Sequence, residues 1–223
     1  MKKAVLVIFA LVCLGELTSG WMGWPEVRRI CKPLIMITLG VYYGISAKHR
    51  SPVVLLAMFF SLAGDVLLMF ETSHELFFIF GLLAFLASHI FYIFSYRQHQ
   101  WVAANDALRG IQKIRASFPI VLAGTGLIIV LYPVLGPLRF PVMVYALVLI
   151  VMVLNSLFRY GRTEAMSFRM VFFGALLFML SDSLLAINKF LTPVPNGASW
   201  IMLTYMVAQY WIVLGLVQHE EKS

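Results

Sequence analysis

The sequence predicts an all-α fold, a polytopic bundle of eight transmembrane helices that forms a single integral membrane domain over residues 1–223. Hydrophobic residues make up 61% of the chain and charged residues only 12%, and the mean hydropathy is +0.90. A soluble domain carries about 25% charged residues. The apolar runs are about 20 residues long, as a helix needs to cross a bilayer, and they lack the alternation of a barrel strand.

Prolines and basic loops separate the eight apolar runs. Pro25 ends the first run, and Pro193 lies in the turn before the last. Lys2 and Lys3 are also typical of a signal peptide, but we favour a span because the first run reaches about 18 residues. The predicted spans are residues 4–21, 30–47, 52–70, 75–96, 118–135, 140–158, 168–190 and 199–217.

The distribution of basic residues predicts that both termini lie in the cytoplasm, since cytoplasmic loops carry an excess of Lys and Arg. Twelve basic residues fall on the side of the termini: Lys2, Lys3, Lys48, Arg50, Arg97, Arg109, Lys113, Arg115, Arg159, Arg162, Arg169 and Lys222. Five fall on the other side: Arg28, Arg29, Lys32, Arg139 and Lys189. The short termini and the Met-Lys-Lys start favour a bacterial inner membrane.

Several other classes of function fit the sequence poorly. The net charge of +7 is explained by membrane topology, so we expect no nucleic-acid partner. Cys13 and Cys31 lie in or beside apolar runs and suggest no disulfide framework. Of the five histidines, only His89 lies well inside a span, so we expect no metal site. No nucleotide or dinucleotide motif is present, and we expect no cofactor.

Two aspartates inside apolar runs are the strongest functional candidates, because a charge at mid-membrane costs at least ~2.5 kcal/mol. Asp65 and Asp182 each lie in a span that runs outward from the cytoplasm. We place each about 6–9 residues short of the outer end, on the order of 10 Å deep. The two carboxyl groups are therefore expected to share a depth and to face each other. The alternative is a structural polar pair that fixes helix packing.

Further polar side chains accompany the aspartates. Lys32 is an expected partner for a carboxylate, because apolar residues surround it. Two pairs of polar residues lie on single helix faces by their spacing, and two more polar side chains lie near Asp182. These supporting residues are His89 with Tyr92, Tyr205 with Gln209, and Ser181 and Asn188. Glu16 lies near the outer end of its span, and we expect its side chain to snorkel to the interface.

The ordered set of these motifs resembles the YhhN-like lysoplasmalogenases, an eight-span membrane family. The residues that carry the resemblance extend over nearly the whole chain, although residues 95–170 contribute little. They are Lys32-Pro33-Leu34, Ser61-Leu62-Ala63-Gly64-Asp65-Val66-Leu67-Leu68-Met69, Phe80-Gly81-Leu82 with Phe85 and Ser88-His89-Ile90-Phe91-Tyr92, Gly174 to Phe190 around Ser181-Asp182-Ser183, and Tyr205-Met206-Val207-Ala208-Gln209.

The resemblance implies a hydrolase that cleaves the vinyl-ether bond of a lysoplasmalogen. The products would be a fatty aldehyde and glycerophosphoethanolamine or glycerophosphocholine, and the substrate would be a lysophospholipid drawn from the surrounding membrane lipids. The shared polar positions carry over onto residues of this chain, which are Lys32, Asp65, His89, Tyr92, Asp182 and Gln209.

A pair of carboxyl groups suits this chemistry. Protonation of the β-carbon of a vinyl ether gives an oxocarbenium ion, which glycosidases also handle with two carboxyls. We therefore expect Asp65 and Asp182 to be catalytic, with one protonated and one ionised. Two other classes stay open. One is a proton- or cation-coupled transporter that uses the same carboxylates, and the other is a structural or regulatory membrane protein.

Overall fold

A computed structural model of the chain describes residues 1–101 and 107–222. The described residues form eight α-helices and two short 3-10 turns, with no strand among them, so the all-α prediction is confirmed. The helices are α1 (Lys2–Met22), α2 (Pro25–Ser46), α3 (Pro52–Met69), α4 (Glu75–Gln98), α5 (Ile111–Leu131), α6 (Arg139–Leu157), α7 (Ala165–Phe190) and α8 (Gly197–Lys222).

The helix boundaries depart from the predicted spans mainly at α5. This helix begins at Ile111 rather than at residue 118, after Gly110 at a φ of 50°. The polar residues that follow Ile111 interrupt the apolar run and lie outside the predicted span, yet Gln, Lys and Arg are good helix formers. Two 3-10 turns follow the helix, Tyr132–Val134 and Gly136–Leu138. Each has a proline in its first turn, which does not allow the α-helix to continue.

Seven of the eight helices are long and apolar enough to cross a membrane, counted within the described residues. The remaining helix is α2, whose first two turns carry the charged residues Glu26, Arg28, Arg29 and Lys32. Burial inside the structure is low in most of the seven, as it is for helices whose apolar surface faces lipid. The chain is therefore an all-helical integral membrane protein.

The helices form two compact units, the N-terminal unit (Met1–Ser95) and the C-terminal unit (Tyr96–Ser223). In the N-terminal unit α1 packs on α2 and α2 packs on α3. Between α3 and α4, the hydroxyl groups of Ser61 and Ser88 lie 2.7 Å apart. A Cβ at Gly64 would lie 2.6 Å from the Phe85 ring. A side chain at this position, one residue before Asp65, would therefore displace the Phe85 ring.

In the C-terminal unit, α7 and α8 pack closely along their length. A Cβ at Gly174 would lie 2.9 Å from the carbonyl oxygen of Ala208. One at Gly215 would lie 2.9 Å from the carbonyl oxygen of Ser167. Small residues at such contacts let two helix backbones approach in a membrane, where packing rather than water exclusion drives association.

A fully buried arginine follows α6 in the C-terminal unit. The Nε of Arg159 donates to the carbonyl oxygen of His99 at 3.2 Å, and its Nη2 donates to Oγ of Ser167 at 3.0 Å. Burial lowers the pKa of Arg159 to about 10, so the side chain stays cationic at neutral pH. Thr163 Oγ1 lies 2.7 Å from Nδ1 of His219. These bonds join the segment that follows α6 to α7, to α8 and to the segment that follows α4.

Candidate functional site

Asp65 lies on α3 in the N-terminal unit and is buried. It is four residues before the end of the helix at Met69, which corresponds to about 6 Å along the axis. The carboxyl group is therefore closer to the helix end than the sequence prediction placed it. The helix is continuous through this position, and Gly64 and Ser61 precede it on the surface that packs against α4.

Lys32 lies on α2 in the same unit, with 9% of its surface exposed. Four charged groups act on its ammonium: Asp65, Arg28, Glu16 and Glu71, of which Asp65 is the strongest. An opposite charge of this kind stabilises a buried cation that has lost its water. Lys32 and Asp65 thus interact electrostatically within the N-terminal unit.

Glu16 does not snorkel to the interface, so that expectation was wrong. Its side chain is 1% exposed, and its Oε1 accepts a hydrogen bond from Nε of Arg28 at 3.0 Å. A buried carboxylate is tolerated when a cation is paired with it, and Arg28 on α2 supplies that cation. From the sequence, Arg28 is predicted only as a loop charge. Its spacing of four residues from Lys32 is the signal that would have placed the two cations on one helix face.

His89 and Tyr92 lie on α4, and both side chains are completely buried in the structure. Their spacing of three residues puts them on one helix face. Ser88, the neighbour of His89, donates to the carbonyl oxygen of Ala57 at 2.8 Å. This contact fixes the rotation of α4 against α3, and it thereby orients the face that carries His89.

Asp182 lies on α7 in the C-terminal unit, where its side chain is half-buried. Oδ2 of Asp182 accepts a hydrogen bond from the hydroxyl group of Tyr145 at 2.6 Å. Tyr145 is buried on α6 and is not among the residues predicted from the sequence. It is the one tyrosine of α6, which is a weak signal, because a tyrosine in a membrane helix commonly lies at the interface.

Asp182 is eight residues before the end of α7 at Phe190, about 12 Å along the helix axis. Like α3, the helix is unbroken through its aspartate. The expectation that the carboxyl groups of Asp65 and Asp182 face each other stays a prediction.

Ser181 and Asn188 bind backbone groups. Oγ of Ser181 donates to the carbonyl oxygen of Ile201 at 3.0 Å and so joins α7 to α8. Oδ1 of Asn188 accepts from the backbone N–H of Val194 at 2.9 Å and holds the turn after α7. Both side chains thus hold α7 to neighbouring segments of the C-terminal unit.

Tyr205 and Gln209 lie one turn apart on α8, and both are buried in the C-terminal unit. The ring of Tyr205 packs edge to face on Phe178 of α7, with ring centroids 5.5 Å apart. Aromatic pairs prefer this geometry because the positive edge of one ring meets the negative face of the other. Gln209 is fully enclosed, so its amide brings hydrogen-bonding capacity into an apolar interior.

Comparison with known proteins gives a consistent result. The YhhN family matches residues 27–216 of the chain. The human lysoplasmalogenase TMEM86A is 29% identical over 98% of this chain and 88% of its own length. The human lysoplasmalogenase TMEM86B is 28% identical over 88% of this chain and 77% of its own length. The pig lysoplasmalogenase TMEM86B is 30% identical over 95% of this chain and 82% of its own length.

No solved structure matches the chain significantly. The family match extends from the start of α2 to the last turns of α8 and includes Lys32, both aspartates and Gln209. On that match, the chain belongs to the YhhN family.

Proposed function

We propose that the chain is an intramembrane lysoplasmalogenase, a hydrolase that converts a lysoplasmalogen and water into a fatty aldehyde and a glycerophospho-alcohol. The observation that carries the proposal is its similarity to lysoplasmalogenase TMEM86A over 98% of its length. Two aspartates in apolar helices add the acidic groups that this reaction requires. Apolar helices around them suit an alkenyl chain that enters from the bilayer.

The proposed reaction begins with transfer of a proton from a carboxylic acid to the β-carbon of the vinyl ether. The double bond supplies the electron pair for the new C–H bond, and an oxocarbenium ion forms at the α-carbon. A water molecule adds to that carbon and gives up a proton to the carboxylate, which gives a hemiacetal. The hemiacetal collapses as its hydroxyl proton returns to the departing glycerol oxygen, and aldehyde and alcohol leave.

Asp65 and Asp182 are the residues proposed to serve as the acid and as the carboxylate. The protonated aspartate donates to carbon, while the ionised aspartate stabilises the oxocarbenium ion and accepts the proton of water. Lys32 supports a negative charge on Asp65, and Tyr145 supports one on Asp182 by its hydrogen bond of 2.6 Å. His89, Tyr92, Tyr205 and Gln209 are proposed to position water or the glycerol hydroxyl group.

The proposed arrangement in the membrane has eight spans, with α2 as the eighth, and both termini in the cytoplasm of a bacterium. The ratio of twelve to five basic residues on the two sides supports this orientation. Single cysteines introduced at Ser51 and at Ser73, in a variant without Cys13 and Cys31, test it. A membrane-impermeant maleimide should label Ser73→Cys in intact cells and Ser51→Cys only after lysis.

A turnover assay tests the function. Purified protein in detergent is given a 1-alkenyl lysophospholipid, and fatty aldehyde is measured by mass spectrometry. Release of one aldehyde for each glycerophospho-alcohol is expected without any ion gradient. A transporter, the rival class, would release no aldehyde in detergent and would move solute only in sealed vesicles. Absence of aldehyde from both 1-alkenyl ethanolamine and choline lysolipids would contradict the proposal.

A further inference from the structure

Three charged side chains form a cluster in the N-terminal unit, where α1 ends and α2 begins. Glu16 lies in the last two turns of α1, and Arg28 and Lys32 lie in the first two turns of α2. Residues four apart share a helix face, so the two cations are adjacent. Because Arg28 binds Glu16 through its Nε at 3.0 Å, this face is turned toward α1.

The described residues leave part of this cluster's hydrogen-bonding capacity unused. Oε2 of Glu16 has no hydrogen-bond partner within residues 1–101 and 107–222, although the side chain is buried. The Lys32 ammonium is buried beside this carboxylate and interacts with it by charge. A buried polar group without a partner costs free energy that a bound ligand recovers.

The guanidinium of Arg28 is the most accessible member of the cluster, with 35% of its side chain exposed. Its Nε is occupied by Glu16, which leaves the two Nη groups at the end of the guanidinium for a ligand. Arginine nitrogens in this fork, with a lysine ammonium one helix turn away, match the oxygens of a phosphate. Glu16 thus holds the guanidinium in place, and its Oε2 accepts no hydrogen bond from the part of the chain that the structure describes.

The balance of charges decides which phosphate compound fits. Asp65 and Glu71 also act on Lys32 by charge. Together with Glu16, these three carboxylates outnumber the two cations. Such a cluster repels a ligand that is purely anionic. A zwitterion offers its phosphate to the two cations and its ammonium to Oε2 of Glu16, and each charge then meets its opposite.

We propose that Glu16, Arg28 and Lys32 form a headgroup subsite for a lysophospholipid that carries a phosphodiester and a primary ammonium, as in ethanolamine. This inference rests on the proposed function, whose substrate it specifies. Since Asp65 is the strongest charged neighbour of Lys32, the subsite adjoins a proposed catalytic carboxyl. The three carbons of glycerol separate the phosphate from the vinyl-ether oxygen, and the proposal is that one ligand occupies the subsite and the place beside Asp65 together.

Binding without turnover tests the subsite separately from catalysis. The probe is 1-O-alkyl-glycerophosphoethanolamine, whose saturated ether is not a substrate, and calorimetry in detergent measures its Kd. Arg28→Gln should weaken binding about 10- to 100-fold, as loss of a charge-assisted contact does. Binding of 1-O-alkylglycerol, which has no phosphate, should not change. Arg29→Gln is the matched control, because Arg29 is exposed and paired with Glu26 at 2.9 Å.

The ammonium half of the subsite needs its own comparison. Wild-type protein should bind the ethanolamine probe more tightly than 1-O-alkyl-glycerol-3-phosphate and than the choline analogue, whose quaternary ammonium donates no hydrogen bond. Glu16→Gln should abolish this preference, whereas Glu26→Gln should keep it. Arg28→Lys, which retains the charge, should bind the ethanolamine probe better than Arg28→Gln and shows that loss of binding does not come from misfolding.

Three results would overturn the inference. Equal Kd values for Arg28→Gln and Arg29→Gln would remove the phosphate contact. An ethanolamine preference that survives Glu16→Gln would remove the ammonium contact. Competition by soluble glycerophosphoethanolamine as effective as by the lipid probe would assign the cluster to a free phosphate ester. If aldehyde release fails while binding depends on Arg28 and Glu16 as described, the proposed reaction is wrong and the subsite stands.

Discussion

The hydroxyl group of Tyr145 donates a hydrogen bond to Oδ2 of Asp182 across 2.6 Å, between α6 and α7. The donor is buried and the acceptor half-buried, so the bond forms where water competes little and where its contribution is large. It fixes the orientation of the carboxyl group through Oδ2. A catalytic carboxyl group needs this kind of fixed orientation.

Tyr145→Phe should lower kcat for aldehyde release by roughly 10- to 100-fold, because it removes a hydrogen bond to a charged acceptor while preserving the ring. The melting temperature in detergent should fall by only a few degrees, as loss of one hydrogen bond of about 1.5–3 kcal/mol produces. Tyr160→Phe is the control, since Tyr160 is an exposed tyrosine of the same unit. Full kcat in Tyr145→Phe, with a lowered melting temperature, would show that the bond serves folding and not catalysis.

Gly174→Ala should destabilise the contact between α7 and α8. The new Cβ would lie 2.9 Å from the backbone oxygen of Ala208 and 3.1 Å from the backbone nitrogen of Ile212, and neither atom can move without moving the helix. Strain of this kind typically costs about 1–3 kcal/mol. Thermal unfolding in detergent measures it. Gly126→Ala on α5 is the control, because open space surrounds that position, and a melting temperature equal to this control would contradict the packing argument.

Arg159→Met should destabilise the C-terminal unit by about 2–4 kcal/mol, since the carbonyl oxygen of His99 and the Ser167 hydroxyl group would lose a charged donor. Arg162→Met, at an exposed position, should have little effect. Chemical unfolding of both variants in mixed micelles provides the measurement. Equal stability of the two variants would remove Arg159 from the set of residues that hold this unit together.

The loss caused by Arg159→Met should be constant between pH 6 and pH 8. Burial lowers the pKa of Arg159 to about 10 from an ordinary value of 12.5, so folding disfavours the charged form. A basic group whose pKa is lowered by folding adds stability only as the pH rises through about 10, above the range tested. If the difference in unfolding free energy between the wild type and Arg159→Met grows or shrinks across pH 6–8, this assignment is contradicted.

The helices were predictable because each apolar run is close to the length that a membrane requires. The length and hydropathy of the apolar runs were enough to predict all eight helices. They include α2, whose first two turns are highly charged. The start of α5 was not predictable in this way. Its first turns contain polar residues that are good helix formers. Hydropathy therefore marks the edge of the apolar run and not the edge of the helix.

The positions of Asp65 inside α3 and of Asp182 inside α7 were predictable, because each carboxyl group interrupts an apolar run. Glu16 shows the limit of this reasoning. A glutamate near the end of a span can reach water or turn inward, and the choice depends on whether a cation on another helix faces it. Arg28 lies twelve positions away in the sequence, and only the packing of α1 on α2 brings the two together. Tyr145 was missed for the same reason.

The most direct measurement is aldehyde release by purified wild-type protein, Asp65→Asn and Asp182→Asn, with insertion checked by size-exclusion chromatography and Glu26→Gln as an exposed-acid control. The proposed mechanism predicts release by the wild type and by the control, and a loss of about 100-fold or more in each aspartate variant, as removal of a general acid or base produces. Wild-type activity in either well-folded aspartate variant would contradict it.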